Sequence, residues 1–454
     1  MHIIIVGGGG VGYELARNLS EKHQDVVVIE KNEIKSRRFI ESLDVMVIVE
    51  NGANSSVLEK AGIYQADMLI AVTDLDEVNT VTCMLAKKYH VPLTVCRIRD
   101  TGYVGTDLGL NLKQFGIDIM INPEQVAATE IVKMLSFPDA SEIEYFSQGK
   151  VMLLGVTVGK ETGITGKPIR KLPKDTDSII VGVSKPNGKF IIPGGNDIIE
   201  PDSKIYLLGK SRPLKEISML LHYEETRVKQ VTIFGGDAIG QQVALMLEKR
   251  KDPFTVKLIE KDEKRCAELS LKLKKTLILH GDATEIAIFK EEDISITDVV
   301  VAVTSDDRTN IVTALLARQF GVKKIICEVR KPQYVAVYSA LGIESLINPR
   351  SLAVAQIIRL TRRKEFVSLS ILQGEKAEVF ELVLPETAHV AHKKICEAHF
   401  PHGMLIGSIM RKEDVIIPNG NTELLPEDHL VIFSLPKVVV KLDHYFAPDP
   451  KKRL

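Results

Sequence analysis

The chain has 454 residues, is 45% hydrophobic and 26% charged, and carries a formal net charge of −1. That balance excludes a nucleic-acid binder working through bulk positive charge, since phosphate contacts need a basic face; the run Lys451-Lys452-Arg453 reads as a solvated tail. No apolar run is long enough to span a bilayer and a strand pattern starts at once, so neither a membrane span nor a signal peptide is expected. Five cysteines with no C-x-x-C pair fit a reducing cytoplasm.

The first stretch, Ile3 to Gly12, is an apolar run entering Gly7-Gly8-Gly9-Gly10-Val11-Gly12, which is G-x-G-x-x-G, and Val11 to Leu19 then has helical spacing. A strand, a glycine-rich turn and a helix in that order aim backbone N–H groups at an anionic pyrophosphate. Gly7 suits the tight turn, Gly9 the close approach of phosphate, and Gly12 the helix–strand packing. The next apolar run, Val26 to Ile29, ends at Glu30, where an acid accepts hydrogen bonds from a ribose diol and repels a 2′-phosphate. NAD(H) or an adenosine nucleotide is therefore favoured over NADP(H).

Apolar runs at 3–6, 26–29, 45–49, 68–72, 93–96 and 117–121 read as buried parallel strands. Helical patterns lie between them at 11–19, 34–43, 56–61, 78–88 and 111–115. This is an α/β doubly wound sheet, with ligands expected at the carboxyl ends of its strands. Thr73-Asp74, with Asn79 following, and Arg97 and Arg99 stand at such ends. Arg97 either clamps phosphate or pairs with the acids Asp74, Asp76, Glu77 and Asp100. After Asn122-Pro123, residues 124–135 read as an amphipathic helix. From about 143 to 221 the pattern is one of short strands and turns, a small α+β lobe.

The chain then repeats. Val231 to Gly240 echoes the opening stretch, Glu260 answers Glu30, Thr304 with Asn310 answers Thr73 with Asn79, and Asn348-Pro349 answers Asn122-Pro123. The fold class is thus a tandem duplication of a Rossmann-type lobe plus a small α+β lobe. The expected lobes are 1–135, 140–225, 228–362 and 366–450. The second copy of the site would comprise Gly235, Gly236, Asp237, Ala238, Ile239 and Glu260, but Asp237 stands where Gly9 does and Glu328 where Arg97 does. One carboxylate about 4 Å from a phosphate, at an effective dielectric near 20, costs on the order of 4 kcal/mol, roughly a thousandfold in affinity. That pocket is either structural only, or takes an uncharged ligand, or takes a nucleotide through a divalent cation. The exit helix 124–135 and its counterpart 353–360 are either ring contacts between lobes or buried within one chain.

An enzyme acting on a nicotinamide needs an acid or base placed against it. No histidine, Ser/His/Asp set or Walker A sequence supplies one, so no catalytic residue is assigned and an NAD-dependent oxidoreductase is the alternative reading. Spacings of three and four would align several of His389, His392, Cys396, His399 and His402 on one helix face, yet the first small lobe has no matching set. They read as a polar helix surface, and no metal is expected.

The duplicated G-x-G-x-x-G lobe, with Ala71-Val72-Thr73 before Asp76-Glu77 and Asn79, each copy followed by a small lobe, resembles the TrkA family over essentially the whole chain. These are cytosolic regulatory subunits of Trk potassium uptake systems, built from tandem RCK (KTN) domains. The resemblance implies RCK N and RCK C lobes, and a homotetramer forming a ring on the cytosolic face of the membrane. It further implies docking to a potassium-translocating membrane subunit (TrkH/TrkG-like), and a response to NAD(H) or ATP/ADP. It places nucleotide contacts at Gly7 to Val11, Glu30, Thr73, Asp74 and Arg97, and in the second copy at Gly235 to Ile239 and Glu260.

Overall fold

The computed structural model describes residues 1–99, 112–136, 140–159, 162–172, 177–211, 228–250, 254–343, 345–361, 366–372, 377–439 and 445–446. The chain forms two compact units, one of Met1–Ser136 with Val228–Thr361, the other of described residues from 137–227 and 362–454. Lobes distant in sequence are therefore partners: first with third, second with fourth.

The first lobe runs β1 (His2–Val6), α1 (Gly10–Glu21), β2 (Asp25–Ile29), α2 (Glu33–Ser42), β3 (Met46–Ile48), α3 (Ser55–Lys60), β4 (Met68–Ala71), α4 (Asp76–Lys88), β5 (Leu93–Arg97), β6 (Ile119–Ile121) and α5 (Pro123–Ser136). Its six strands lie in the order β3-β2-β1-β4-β5-β6, all parallel. The order reverses between β1 and β4, so a crevice opens at their carboxyl ends, where the glycine-rich turn lies. Alternate residues of β1 supply the two faces: Ile3 and Ile5 enter one core, Ile4 and Val6 the other. The expected elements are present within a few residues at each end. The segment following Leu112 is a single 3-10 turn, Leu112–Phe115.

A small lobe of antiparallel strands follows: β7 (Ala140–Phe146), β8 (Val151–Thr157), β9 (Ser178–Ser184), β10 (Phe190–Ile191) and β11 (Lys204–Lys210). The second Rossmann-type lobe comprises β12 (Gln230–Phe234), α6 (Ala238–Glu248), β13 (Thr255–Glu260), α7 (Glu263–Lys272), β14 (Leu277–His280), α8 (Ile286–Glu291), β15 (Val299–Ala302), α9 (Asp307–Gln319), β16 (Lys324–Glu328), α10 (Val335–Ala340), β17 (Ser345–Ile347) and α11 (Pro349–Thr361). Its sheet repeats the first, β14-β13-β12-β15-β16-β17. The second small lobe has β18 (Phe366–Leu372), β19 (Ala377–Val383), β20 (Met404–Arg411), β21 (Asp414–Ile416), β22 (His429–Ser434) and the short helix α12 (Pro436–Val439), with its sheet ordered like that of the first. The two small sheets meet face to face through Val151, Tyr206 and Leu208 on one side and Val379, Val431 and Phe433 on the other.

The exit helices trade places. Ala127, Ala128, Ile131, Val132 and Leu135 of α5 are buried with Val231, Ile239 and Val243 in the core of the second lobe. Ala353, Val354 and Ile357 of α11 are buried with Ile3, Val11 and Leu15 in the core of the first. Both are therefore internal to the chain. Each buried Ile, Val or Leu contributes roughly 1.5–3 kcal/mol, so neither sheet is covered without the other's helix. Side chains lock the pairing: Arg250 Nη1 donates to Ser136 Oγ at 2.8 Å, Lys324 Nζ to the Met134 carbonyl at 3.1 Å, and Ser351 Oγ to Glu14 Oε1 at 3.0 Å.

The histidine cluster of the second small lobe is not on a helix face. Cys396 sits in a 3-10 turn, Ile395–Glu397, while His392 and His399 have φ of 63° and 49°. Left-handed backbone at two of the five positions breaks the helical register on which their alignment depended.

Candidate functional site

The first glycine-rich turn separates what the fold needs from what it leaves open. Gly7 has φ of +114°, and a Cβ there would lie 2.8 Å from Thr73 N; a Cβ at Gly12 would lie 1.9 Å from the Gly7 carbonyl oxygen. Those two glycines are required by backbone packing. At Gly9 a Cβ would meet nothing within 4 Å. Its bareness serves no internal contact and leaves space above the first turn of α1, whose N-cap is Gly9 with no side-chain capping bond. The N–H groups of that turn face the opening, as an anion site requires.

Glu30 is buried, and its carboxylate accepts from Gly8 N at 2.5 Å and Asn32 N at 2.8 Å. It ties the turn to the end of β2 and keeps lone pairs for further donors. Asn79, fully buried, binds the ends of β4 and β5 together. Its Oδ1 accepts from Thr73 N at 2.8 Å and Thr73 Oγ1 at 2.7 Å, and its Nδ2 donates to the Arg97 carbonyl at 2.9 Å. Asn310 repeats this in the second lobe with Thr304 and Glu328. Asn79 was legible as a repeated residue, but its positioning role follows only from these bonds.

The pairing of Arg97 with acids is seen, and its side chain also stands on an open chamber. It lines a chamber of about 350 Å³ in front of Gly9 and Gly10. It also pairs loosely with acids: Nη1 lies 3.5 Å from Asp74 and Nη2 3.8 Å from Glu124, with Arg99 sharing both partners at 3.4 and 3.8 Å. Arg97 Nε and Glu124 Oε2 are buried without a hydrogen-bond partner. Burial, then the neighbouring Arg99, lowers the Arg97 pKa from its ordinary value. The guanidinium still carries charge at neutral pH, with donor capacity unspent.

The chamber spans both Rossmann-type lobes, since Asp237, Ala238, Glu328, Arg330 and Arg350 line its other wall. Arg350, in the first turn of α11, points across to the first glycine-rich turn: a Cβ at Gly10 would lie 2.7 Å from its Nη1. Arg350 was missed in the sequence because it belongs to the other repeat. Its signal was the position after Asn348-Pro349, where the first repeat has Glu124.

The second turn keeps the frame. Gly235 has φ of +107°, a Cβ at Gly240 would lie 1.9 Å from the Gly235 carbonyl oxygen, and Glu260 accepts from Gly236 N at 2.6 Å. The two substituted acids differ physically, however. Asp237 is exposed, so water and salt screen it. Glu328 is 2% exposed; Arg330 Nε donates to its Oε1 at 2.8 Å, while Oε2 has no partner. Burial pushes its carboxyl up to about 7. The equal penalty expected from the sequence for both acids thus falls mainly on Glu328. Asp282 of the retained Gly281-Asp282-Ala283 turn is held down at about 2, first by Lys261 and then by Thr284.

Two parallel six-stranded lobes sharing one chamber, each followed in sequence by an antiparallel small lobe, define a tandem RCK-type protein. Residues 3–123 and 231–349 match the TrkA-N domain, and 153–222 and 379–447 match the TrkA-C domain. Trk system potassium uptake protein TrkA homolog 1 of Methanosarcina mazei is 33% identical across 98% of this chain and 100% of its own length. TrkA of Azorhizobium caulinodans is 30% identical across 98% of both. The chain belongs to the TrkA family of Trk system potassium uptake proteins. Among solved structures, the GsuK channel bound to NAD matches 98% of this chain and 79% of its own with a TM-score of 0.64 at 21% identity. The GsuK RCK domain matches 98% and 95%, with a TM-score of 0.63 at 21% identity. Among the described residues no helix is long and apolar enough to cross a membrane.

Proposed function

We propose that the chain is a non-enzymatic regulatory subunit whose first pocket senses NAD(H) or ATP/ADP. It would control a potassium-translocating membrane subunit of the TrkH/TrkG kind from the cytosolic face. The contacts assigned are Gly7 to Val11 for the pyrophosphate, Glu30 for the ribose, and Thr73, Asp74 and Arg97 beside the phosphates. Lobe boundaries near 135, 140, 225, 228, 362 and 366 go with this reading.

The carrying observation is that unblocked backbone above Gly9 faces Arg97 and Arg99 from its own lobe and Arg350 from the other. A diphosphate there touches both lobes, and its affinity depends on how they are arranged, which is the condition for a ligand to shift a conformational equilibrium. A hundredfold preference for one arrangement supplies about 2.7 kcal/mol per site. Assembly into a homotetrameric ring is supported by matching exposed faces: Val81 and Met84 on α4, and Val312 and Leu315 on α9. The test is to titrate purified protein with NADH in the presence of candidate substrates as hydride acceptors while following binding and absorbance together. Saturable binding without oxidation is expected; steady oxidation would favour a dehydrogenase.

A further inference from the structure

The second pocket retains the turn, the eleven-residue helix α6 behind it and the ribose-type acid Glu260, all in the geometry of the first. What it adds is one buried carboxylate in the chamber's lining, Glu328, whose Oε2 has no hydrogen-bond partner.

We propose that this pocket is a second nucleotide site that fills only when Glu328 carries a proton, so that the diphosphate and the proton bind together. The inference rests on the same reading of the first pocket as a nucleotide site.

The charges around Glu328 support a proton as the switch. Arg330 engages Oε1 only. Asp307 on α9 and Asp237 at the start of α6 both add negative potential. Tyr338 on α10 donates to the Glu328 carbonyl oxygen at 3.3 Å and leaves the carboxylate alone. Across the chamber Glu124 is occupied with Arg97 and Arg99. An anion entering against ionised Glu328 meets a buried charge that Arg330 offsets at one oxygen only. With Glu328 protonated the repulsion disappears. Asp237 is exposed, so solvent and salt screen it.

Above about pH 7 the second-site affinity should fall about tenfold per pH unit. The probe is NAD⁺, whose diphosphate diester does not titrate near neutrality, added to the full chain with EDTA in a calorimeter. At pH 6 two equivalents per chain are expected, and at about pH 7, where Glu328 is about half ionised, the second should take up about half a proton when buffers of different ionisation enthalpy are compared. At pH 8.5 one equivalent is expected. Glu328→Gln, with its fold checked by melting temperature, should bind two at both pH values without proton uptake. A single equivalent at pH 6, a metal-free second equivalent in the native chain at pH 8.5, or a single one in E328Q overturns the proposal. The pH-independent equivalent reports the first pocket: losing it while the pH-dependent one remains would sink the first-pocket reading and spare this one.

Discussion

Arg350 of the second Rossmann-type lobe lies against Gly10 of the first, close enough that a Cβ on Gly10 would come within 2.7 Å of its guanidinium. The chamber before the first glycine-rich turn is therefore completed by the other lobe. Its counterpart Glu124 turns instead toward Arg97 and Arg99. Pseudo-symmetric helix starts thus deliver opposite charges to one chamber.

Arg350→Ala should weaken nucleotide binding at the first pocket by about ten- to a hundredfold, the loss of one charge-assisted hydrogen bond. Because Arg350 is exposed, the melting temperature without nucleotide should stay unchanged. Calorimetry and thermal melts on the same preparation check both halves.

Gly9→Asp and Gly12→Ala should separate binding from folding. The open space at Gly9 predicts native stability with weakened binding, whereas a Cβ 1.9 Å from the Gly7 carbonyl oxygen predicts a destabilised fold for Gly12→Ala. Equal melting temperatures for the two variants would contradict this.

Glu328→Gln should change stability in a pH-dependent way. Burial raises the carboxyl from 4.5 to about 7, so between those values the folded chain keeps a proton that the unfolded chain has released. The stabilisation from that proton is complete below about pH 4.5 and lost once pH passes about 7. At pH 8 the ionised group costs about 3 kcal/mol. The variant should melt several degrees higher than the native chain at pH 8 and match it at pH 4.5; the same gain at both would contradict the burial argument.

Ile131→Ala should cost about 2–4 kcal/mol, although Ile131 belongs by sequence to the first lobe. Its neighbours lie in the core of the second, so hydrogen exchange should quicken in α6 more than in α4. Faster exchange confined to the first lobe would contradict the helix trade.

Much of this was legible because strand and helix periodicities are local. The run Ile3–Val6 alternates between two cores, and Gly7 and Gly12 are forced by contacts within ten residues of sequence or across one strand pair. The repeat exposed the substitutions at Asp237 and Glu328. Which of the two matters depends on burial, and burial depends on the chain's distant parts. Arg350 and the exchange of α5 and α11 were hidden for the same reason: an amphipathic helix shows that it needs a partner surface, but not whose. The five His and Cys positions misled because spacing alone cannot register the left-handed residues at His392 and His399.

The most direct test is a crystal structure of the chain with NADH at pH 8 in EDTA. The expected result is a pyrophosphate above Gly9, within reach of Arg97 and Arg350, with the second turn at Asp237 empty. A nucleotide at Asp237 and none at Gly9 would contradict the assignment of the first pocket as the sensing site.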